Sequence, residues 1–225
     1  MMNRIAVIIP VLNEAATIAA TVDRVIAAGV HCVVVDGGSD DDTPTIARSR
    51  GAQVIAARRG RASQMNAGAR SAGEFEILVF LHADVVLPDD WKSAVEGAID
   101  AGAMWGRFDV WLASRLRLLC IVGAMMNLRS RITGIATGDQ TIFIRRATFD
   151  AIGGYADLPL MEDIDLCTRL RSARLPGAAL RERVFVSARR WERKGPLRTI
   201  VLMWTLRALY WSGVPARRLH RLYYG

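Results

Sequence analysis

The sequence holds no run of 18 uncharged apolar residues, which excludes an ordinary transmembrane helix. No basic stretch, apolar core and cleavage site open it, so no signal peptide is read there. Cysteine is scarce: Cys32, Cys120 and Cys167 lie far apart in apolar surroundings, with no CxxC and no Cys/His spacing. That pattern reads as buried reduced thiols, not a disulfide framework or a zinc site. GxGxxG is absent, which removes the dinucleotide fingerprint. No repeat or low-complexity linker forces a domain boundary. These absences point to a cytoplasmic protein, with peripheral contact at the inner face of the cell membrane left open.

What is present supports a sizeable core: 52% of the 225 residues are hydrophobic. The net charge is +8, and the pI near 10.2 favours an anionic partner. Apolar runs at Ile5–Ile9, Cys32–Val35 and Val54–Ala57 alternate with helical periodicity after Asn13, read as a cap, and after Thr43-Pro44. This β-α-β-α-β order predicts a doubly wound, mostly parallel α/β sheet flanked by helices. A fourth buried strand is expected at 77–81 and helices at 62–72, 90–101, 116–128 and 162–174. Phe108–Leu112 reads as a strand leaving the sheet, and Val184–Ser187 as the last strand. Leu197–Trp211 reads as a final, very apolar helix.

Five stretches carry candidate chemistry. Asp36 ends the second strand before Gly37-Gly38-Ser39, where a carboxylate can accept from a nucleobase imide or a ribose hydroxyl. Of the acids at 40–42, Asp42 needs no more role than capping a helix and complementing its dipole. Gly60-Arg61 to Gly68 is a basic turn with small residues, suited to close approach of phosphate or sugar and equally to a plain helix. His82-Ala83-Asp84 follows the fourth strand. Strand geometry would point residues i and i+2 to the same side, so both could reach one hard cation carried with a phosphate. Glu162-Asp163-Ile164-Asp165 puts three acids at a helix start, where the dipole favours them; one could also serve as a general base. Arg189 to Lys194 is a basic loop whose guanidiniums match phosphate, and it reads equally as a solvated or lipid-facing loop.

In this order the motifs resemble family 2 of the inverting glycosyltransferases, which have the GT-A fold. The resemblance runs through Asp36-Gly-Gly-Ser39, Gly60-Arg61…Asn66-Ala-Gly68, His82-Ala-Asp84, Gly138-Asp139, Gly153-Gly154-Tyr155 and Glu162-Asp163, over roughly residues 4–195. The wording of Trp105 to Asp109, Met126 to Arg131 and Arg190 to Arg193 is similar to a bacterial subgroup known as radical-SAM- or selenodomain-associated glycosyltransferases. The resemblance implies a GT-A-like domain over 1–195, with a nucleotide-sugar half to about 110 and an acceptor half beyond it. Residues 196–225 would then form an apolar and basic helical appendage.

The resemblance further implies roles. Asp163 would be the base. Pro10, Asn13, Glu14, Asp36, Gly38, Ser39, Arg61, Gln64, Asn66, Gly68, His82, Ala83 and Asp84 would bind the donor, a nucleotide-diphosphate sugar, commonly of uridine. Asp84, with His82, would ligate Mg²⁺ or Mn²⁺. Gly138, Asp139, Glu162, Arg190, Trp191 and Arg193 would meet acceptor and diphosphate. Two positions depart from the family pattern: Gly37 stands where a second acid is usual, and His82 where the DxD motif opens with Asp.

Leu197, Ile200, Val201, Trp204, Ala208 and Trp211 share one helical face. We read it as packed over the sheet or against a second copy; an interfacial helix and a lipid-carried acceptor are compatible with it. Two other functions compete. A nucleotidyltransferase would want a Gly-rich basic loop after the first strand, where Pro10-Val11-Leu12-Asn13-Glu14 stands. A nucleic-acid binder would not place acids at 36, 84 and 163; no nucleic acid is expected.

Overall fold

The computed structural model describes residues 4–114, 116–188 and 195–224. Its eight strands are β1 (Ile5–Val11), β2 (His31–Asp36), β3 (Gln53–Ala56), β4 (Ile77–Phe80), β5 (Val85–Val86), β6 (Trp105–Ala113), β7 (Ile142–Arg145) and β8 (Gly177–Ser187). They form one sheet in the order β3-β2-β1-β4-β7-β6-β8-β5. The four strands from β3 to β4 run parallel. β7 is antiparallel to both its neighbours, β8 is parallel to β6, and β5 closes the edge antiparallel to β8. The α/β class and the mostly parallel sheet agree with the expectation.

The side-chain period of two explains the layers. In β1, Ile5, Val7 and Ile9 face one core, while Ala6 and Ile8 face the other. The first core is covered by α1 (Ile18–Ala27), α2 (Thr43–Ser49), α4 (Trp91–Asp100) and the start of α5 (Arg117–Thr133). The second is covered by α3 (Arg61–Ser71), α6 (Arg146–Ala151), α7 (Glu162–Ser172), α8 (Pro196–Trp211) and α9 (Ala216–Tyr224). Burial on both faces is why β1, β2 and β4 read as continuous apolar runs. No helix among the described residues is long and apolar enough to cross a membrane.

Several local expectations change. β6 does not leave the sheet; it pairs with β7 and then with the full length of β8. β8 begins at Gly177, seven residues before the expected Val184. Its first half alternates exposed and half-buried residues, so no apolar run announces it. α5 continues to Thr133, where Gly134 takes φ +64° and returns its N–H to the Ser130 carbonyl. Only glycine adopts that left-handed stop readily. β5, two residues long, carries no sequence signal of its own, whereas the arginine-rich α9 is amphipathic and follows Pro215, a helix not among the expected elements.

Asn13 is not a helix cap. α1 starts after Thr17, and Asn13, at φ +57°, ties two loops together. Its N–H donates to Ser39 Oγ, and its Oδ1 accepts from the Asp40 N–H. The apolar face expected to pack α8 is the exposed one: Leu197, Val201, Trp204 and Trp211 are each more than 60% exposed. Packing runs instead through Leu206, which is buried, with Leu202 and Leu209 beside it. With Leu219 from α9, this joins the C-terminal helices to the second core.

Candidate functional site

The site lies beyond the carboxyl ends of β1, β2 and β4, where open α/β sheets bind ligands. Asp36 closes β2 and is 9% exposed. Its carboxylate accepts from the Gly38 and Ser39 N–H groups and from Ser39 Oγ. It therefore organises its own loop, with Gly38 at φ +89° supplying the turn. Ser39 also receives the Asn13 N–H, so the loops after β1 and β2 form one ledge.

Of the expected donor contacts, Gln64 and Asn66 have their side chains engaged inside the fold, and Gly68 is packed against the sheet. Gln64 sends its amide to the carbonyls of Val11 and Val35 and accepts from Gly60. Asn66 makes a paired amide bond with the backbone of Tyr155, 2.8 and 2.9 Å. Gly68 lets α3 sit on the sheet: a Cβ there would come 2.4 Å from Ile8. Their spacing marks helix–sheet packing that shapes the site. Ala83 is buried, and its carbonyl accepts from Thr21. Pro10 is half-buried near the end of β1, in register with Val35.

His82 and Asp84 do not lie on a strand, because β4 ends at Phe80. They sit in a turn closed by the Val85 N–H on the His82 carbonyl, so strand alternation does not align them. The imidazole Nδ1 turns toward Asp139, 3.4 Å away. The Asp84 carboxylate is exposed and makes no hydrogen bond or ion pair among the described residues. Glu14 lies nearby: burial raises its carboxyl above the ordinary value, Thr17 opposes this, and the Asp84 charge raises it further. Among the described residues no three acidic, histidine or cysteine side chains converge into a metal cage. An exposed, unpaired carboxylate with a second acid beside it fits a hard divalent ion that brings most of its oxygen ligands with a diphosphate.

The acids of α7 begin the other half of the site. Met161 holds the left-handed conformation at φ +71° just before the helix. Glu162 is buried, and Asp163 Oδ2 accepts from the Gly138 N–H at 2.8 Å. Asp165 turns back to pair with Arg169, so it stands apart from the site. Burial, then the Asp163 charge, raises the Glu162 carboxyl, while Arg61 and His82 oppose. Burial opposes the Arg61 cation, yet Glu162, Tyr224, Asp139 and Asp163 hold its pKa above the ordinary value. Gly138 packs so closely on His82 that a Cβ would meet the ring at 2.5 Å. One group thus links His82, Asp139, Gly138 and Asp163. Arg190, Trp191 and Arg193 lie outside the described residues.

Beside Asp163 opens a cavity of about 360 Å³ lined from α5, α7, α8 and the 3-10 turn Gly138–Gln140. Arg61, His82, Asp139, Glu162 and Asp163 reach it from the site. Arg129 and Arg207 also line it, and no motif in the sequence marks either as a site residue. The available signal was an arginine inside an otherwise apolar helix.

Residues 6–117 match the family model of Glycosyl transferase family 2. A 71-residue stretch is 41% identical to uncharacterized glycosyltransferases of Mycobacterium bovis and Mycobacterium tuberculosis; it covers 31% of this chain and 32% of theirs. The chain thus aligns with about a third of the length of those curated relatives. Among solved structures, glucosyl-3-phosphoglycerate synthase from Mycobacterium tuberculosis, in complex with Mn²⁺, UDP and glucosyl-3-phosphoglycerate, superposes with a TM-score of 0.61 at 22% identity. That superposition covers 81% of this chain and 71% of the synthase. The same synthase with Mg²⁺ and UDP gives 0.60 at 21% identity, over 82% and 70%. The fold is that of the GT-A glycosyltransferases.

Proposed function

We propose that this chain, which matches glycosyl transferase family 2 over residues 6–117, transfers a sugar from a nucleotide-diphosphate sugar to a hydroxyl acceptor with inversion. The observation that carries this reading is the joining of the two half-sites. The Asp84 turn and the Asp163 helix meet through His82, Asp139 and Gly138.

The Asp36 ledge, with Ser39 and Asn13, receives the nucleoside, for which uridine fits the ligands of the similar synthase structures. Arg61 lies toward the diphosphate, and its cation, held firmly on by four neighbouring groups, offsets the leaving-group charge. Asp84, with Glu14 and His82 near it, would hold Mg²⁺ or Mn²⁺, which when bound neutralises the diphosphate. Asp163, kept in place by the Gly138 N–H, takes the proton from the acceptor hydroxyl as its oxygen attacks the anomeric carbon. The acceptor enters from the cavity lined by α5 and α8.

The chain divides by role into a nucleotide-sugar half to about 110 and an acceptor half to 195, followed by helices that complete the acceptor side. Similarity in wording supports a place in the radical-SAM-associated subgroup. The exposed apolar face of α8 supports contact with a second copy or a membrane surface. The acids at the site make nucleic acid an unsuited partner.

The test is a panel of nucleotide sugars scored for thermal stabilisation with Mg²⁺ or Mn²⁺, since ligand binding to the native state raises apparent stability. A shift with one uridine-diphosphate sugar, abolished by chelator, is expected. No shift with any nucleotide sugar and either ion rejects the donor site.

A further inference from the structure

The cavity beside Asp163 combines an apolar wall with two cations. Met125, Met126, Leu128, Ile132, Met203 and Trp204 line it together with Arg129 and Arg207. Arg129 stands in the run Met126 to Arg131, and its polar neighbours in that run have structural partners. Asn127 holds both backbone groups of Val110. Ser130 joins Gln140 and the Asn127 carbonyl. Arg131 pairs with Asp109 and two carbonyls of β8. Arg129 differs: its Nε and Nη2 are buried and have no hydrogen-bond partner among the described residues.

A guanidinium taken out of water without acceptors is costly to leave so. Burial, then the charge of Arg207, lowers the Arg129 pKa to about 10, with Asp163 opposing. Burial lowers Arg207 too, against Asp163 and Asp139. Those carboxylates do not bond to Arg129. Asp163 accepts from Gly138 and from the Ile164 N–H; Asp139 faces His82. Glu162 is buried and balances Arg61. The two arginines therefore leave positive charge, and Arg129 two unpartnered donors, beside an apolar wall that is half open to solvent. The ligand chemistry that completes this is an anion on an apolar body, since a guanidinium matches phosphate or carboxylate oxygens in two-pronged fashion.

We propose that Arg129, with Arg207 beside it, binds the anionic group of an amphiphilic acceptor whose apolar portion lies along Met125, Leu128, Ile132 and Trp204. The term acceptor rests on the glycosyl-transfer reading; the binding site itself does not. Phosphate is the better-fitting anion, because two guanidiniums match its two charges.

The test uses the full chain and no sugar donor. Octyl phosphate, inorganic phosphate and octanol are titrated calorimetrically into wild type, Arg129→Gln, Arg129→Lys and Arg207→Gln, and UDP is titrated separately. Octyl phosphate should bind wild type at least tenfold more tightly than either fragment. Arg129→Gln should lose tenfold or more, Arg129→Lys should retain part, and UDP affinity should stay unchanged. Absence of octyl phosphate binding to wild type overturns the proposal, as does equal binding of octanol or an unaffected Arg129→Gln. Inorganic phosphate binding as well as octyl phosphate removes the apolar portion. Loss of UDP binding in Arg129→Gln with octyl phosphate retained reassigns Arg129 to the donor. Should Arg129→Gln not fold, Arg129→Lys and Arg207→Gln decide by the same comparison. Failure of the nucleotide-sugar panel is a separate result, because no arm here except the UDP control involves the donor site.

Discussion

The backbone N–H of Gly138 donates to Asp163 Oδ2 at 2.8 Å, fastening the proposed base to the turn that packs on His82. The bond fixes one oxygen of the carboxylate. It also makes the position sensitive to charge more than to shape, because an asparagine could accept the same N–H.

Asp163→Asn should keep the fold and the melt shift with donor while losing turnover. The expected loss in nucleotide diphosphate release is about 10²–10⁴-fold, the range for a positioned acid or base. Release at the wild-type rate removes Asp163 from the base role.

Glu162→Gln should change how stability depends on pH. Burial and then Asp163 hold the Glu162 carboxyl above its ordinary value. The native state therefore keeps that proton more tightly than the unfolded chain does. Stability is full at low pH and declines as pH climbs through the raised value. Glutamine does not ionise, so the melting temperature of the variant relative to wild type should rise as pH climbs above the ordinary glutamate range. A constant difference across that climb contradicts the raised value.

Gly68→Ala should separate packing from binding. The new Cβ would lie 2.4 Å from Ile8 Cγ2 and 2.8 Å from Val35 Cγ2, both inside the second core. Overpacking of this kind costs about 1–3 kcal/mol, read as a lower denaturation midpoint. UDP affinity of the folded variant should be that of wild type. Unchanged stability with lost UDP binding would return Gly68 to the ligand contacts.

Asn127→Ala should destabilise through the sheet. Beyond Arg107, β6 has no strand partner on its β7 side, because that pairing ends at Arg107–Ile142. Asn127 supplies the missing partner, accepting from Val110 N–H at 2.8 Å and donating to its carbonyl at 3.0 Å. Leaving both groups without it costs about 1–3 kcal/mol, checked by urea denaturation against wild type. A midpoint equal to wild type would mean that water replaces the amide at no cost.

The parallel half of the sheet was legible because its signals are local. Cys32 to Val35 are buried on both faces and so are all apolar; the glycines at 29 and 51 stop the helices between strands where φ turns positive. The antiparallel half was not. β8 is amphipathic and polar at its start, and what makes it a strand is its long pairing with β6 some 70 residues earlier.

The candidate site divides the same way. Residue type and order alone determined that acids stand at the ends of β2 and β4 and at the start of α7, because strand ends and helix starts are written in short-range pattern. Only the tertiary structure decided what each polar group faces. Gln64 and Asn66 look like ligand contacts until their amides are found on Val11, Val35 and Tyr155. The α8 helix has two apolar rows, and periodicity cannot say which is buried; the second core chose the row of Leu206. Arg129 looked like the basic end of an apolar helix. It becomes a candidate site because α8, some 70 residues later, lines a cavity with it and two of its nitrogens are buried without a partner among the described residues. Burial and hydrogen-bond satisfaction depend on every neighbour in space, which is the part of the physics that sequence spacing does not carry.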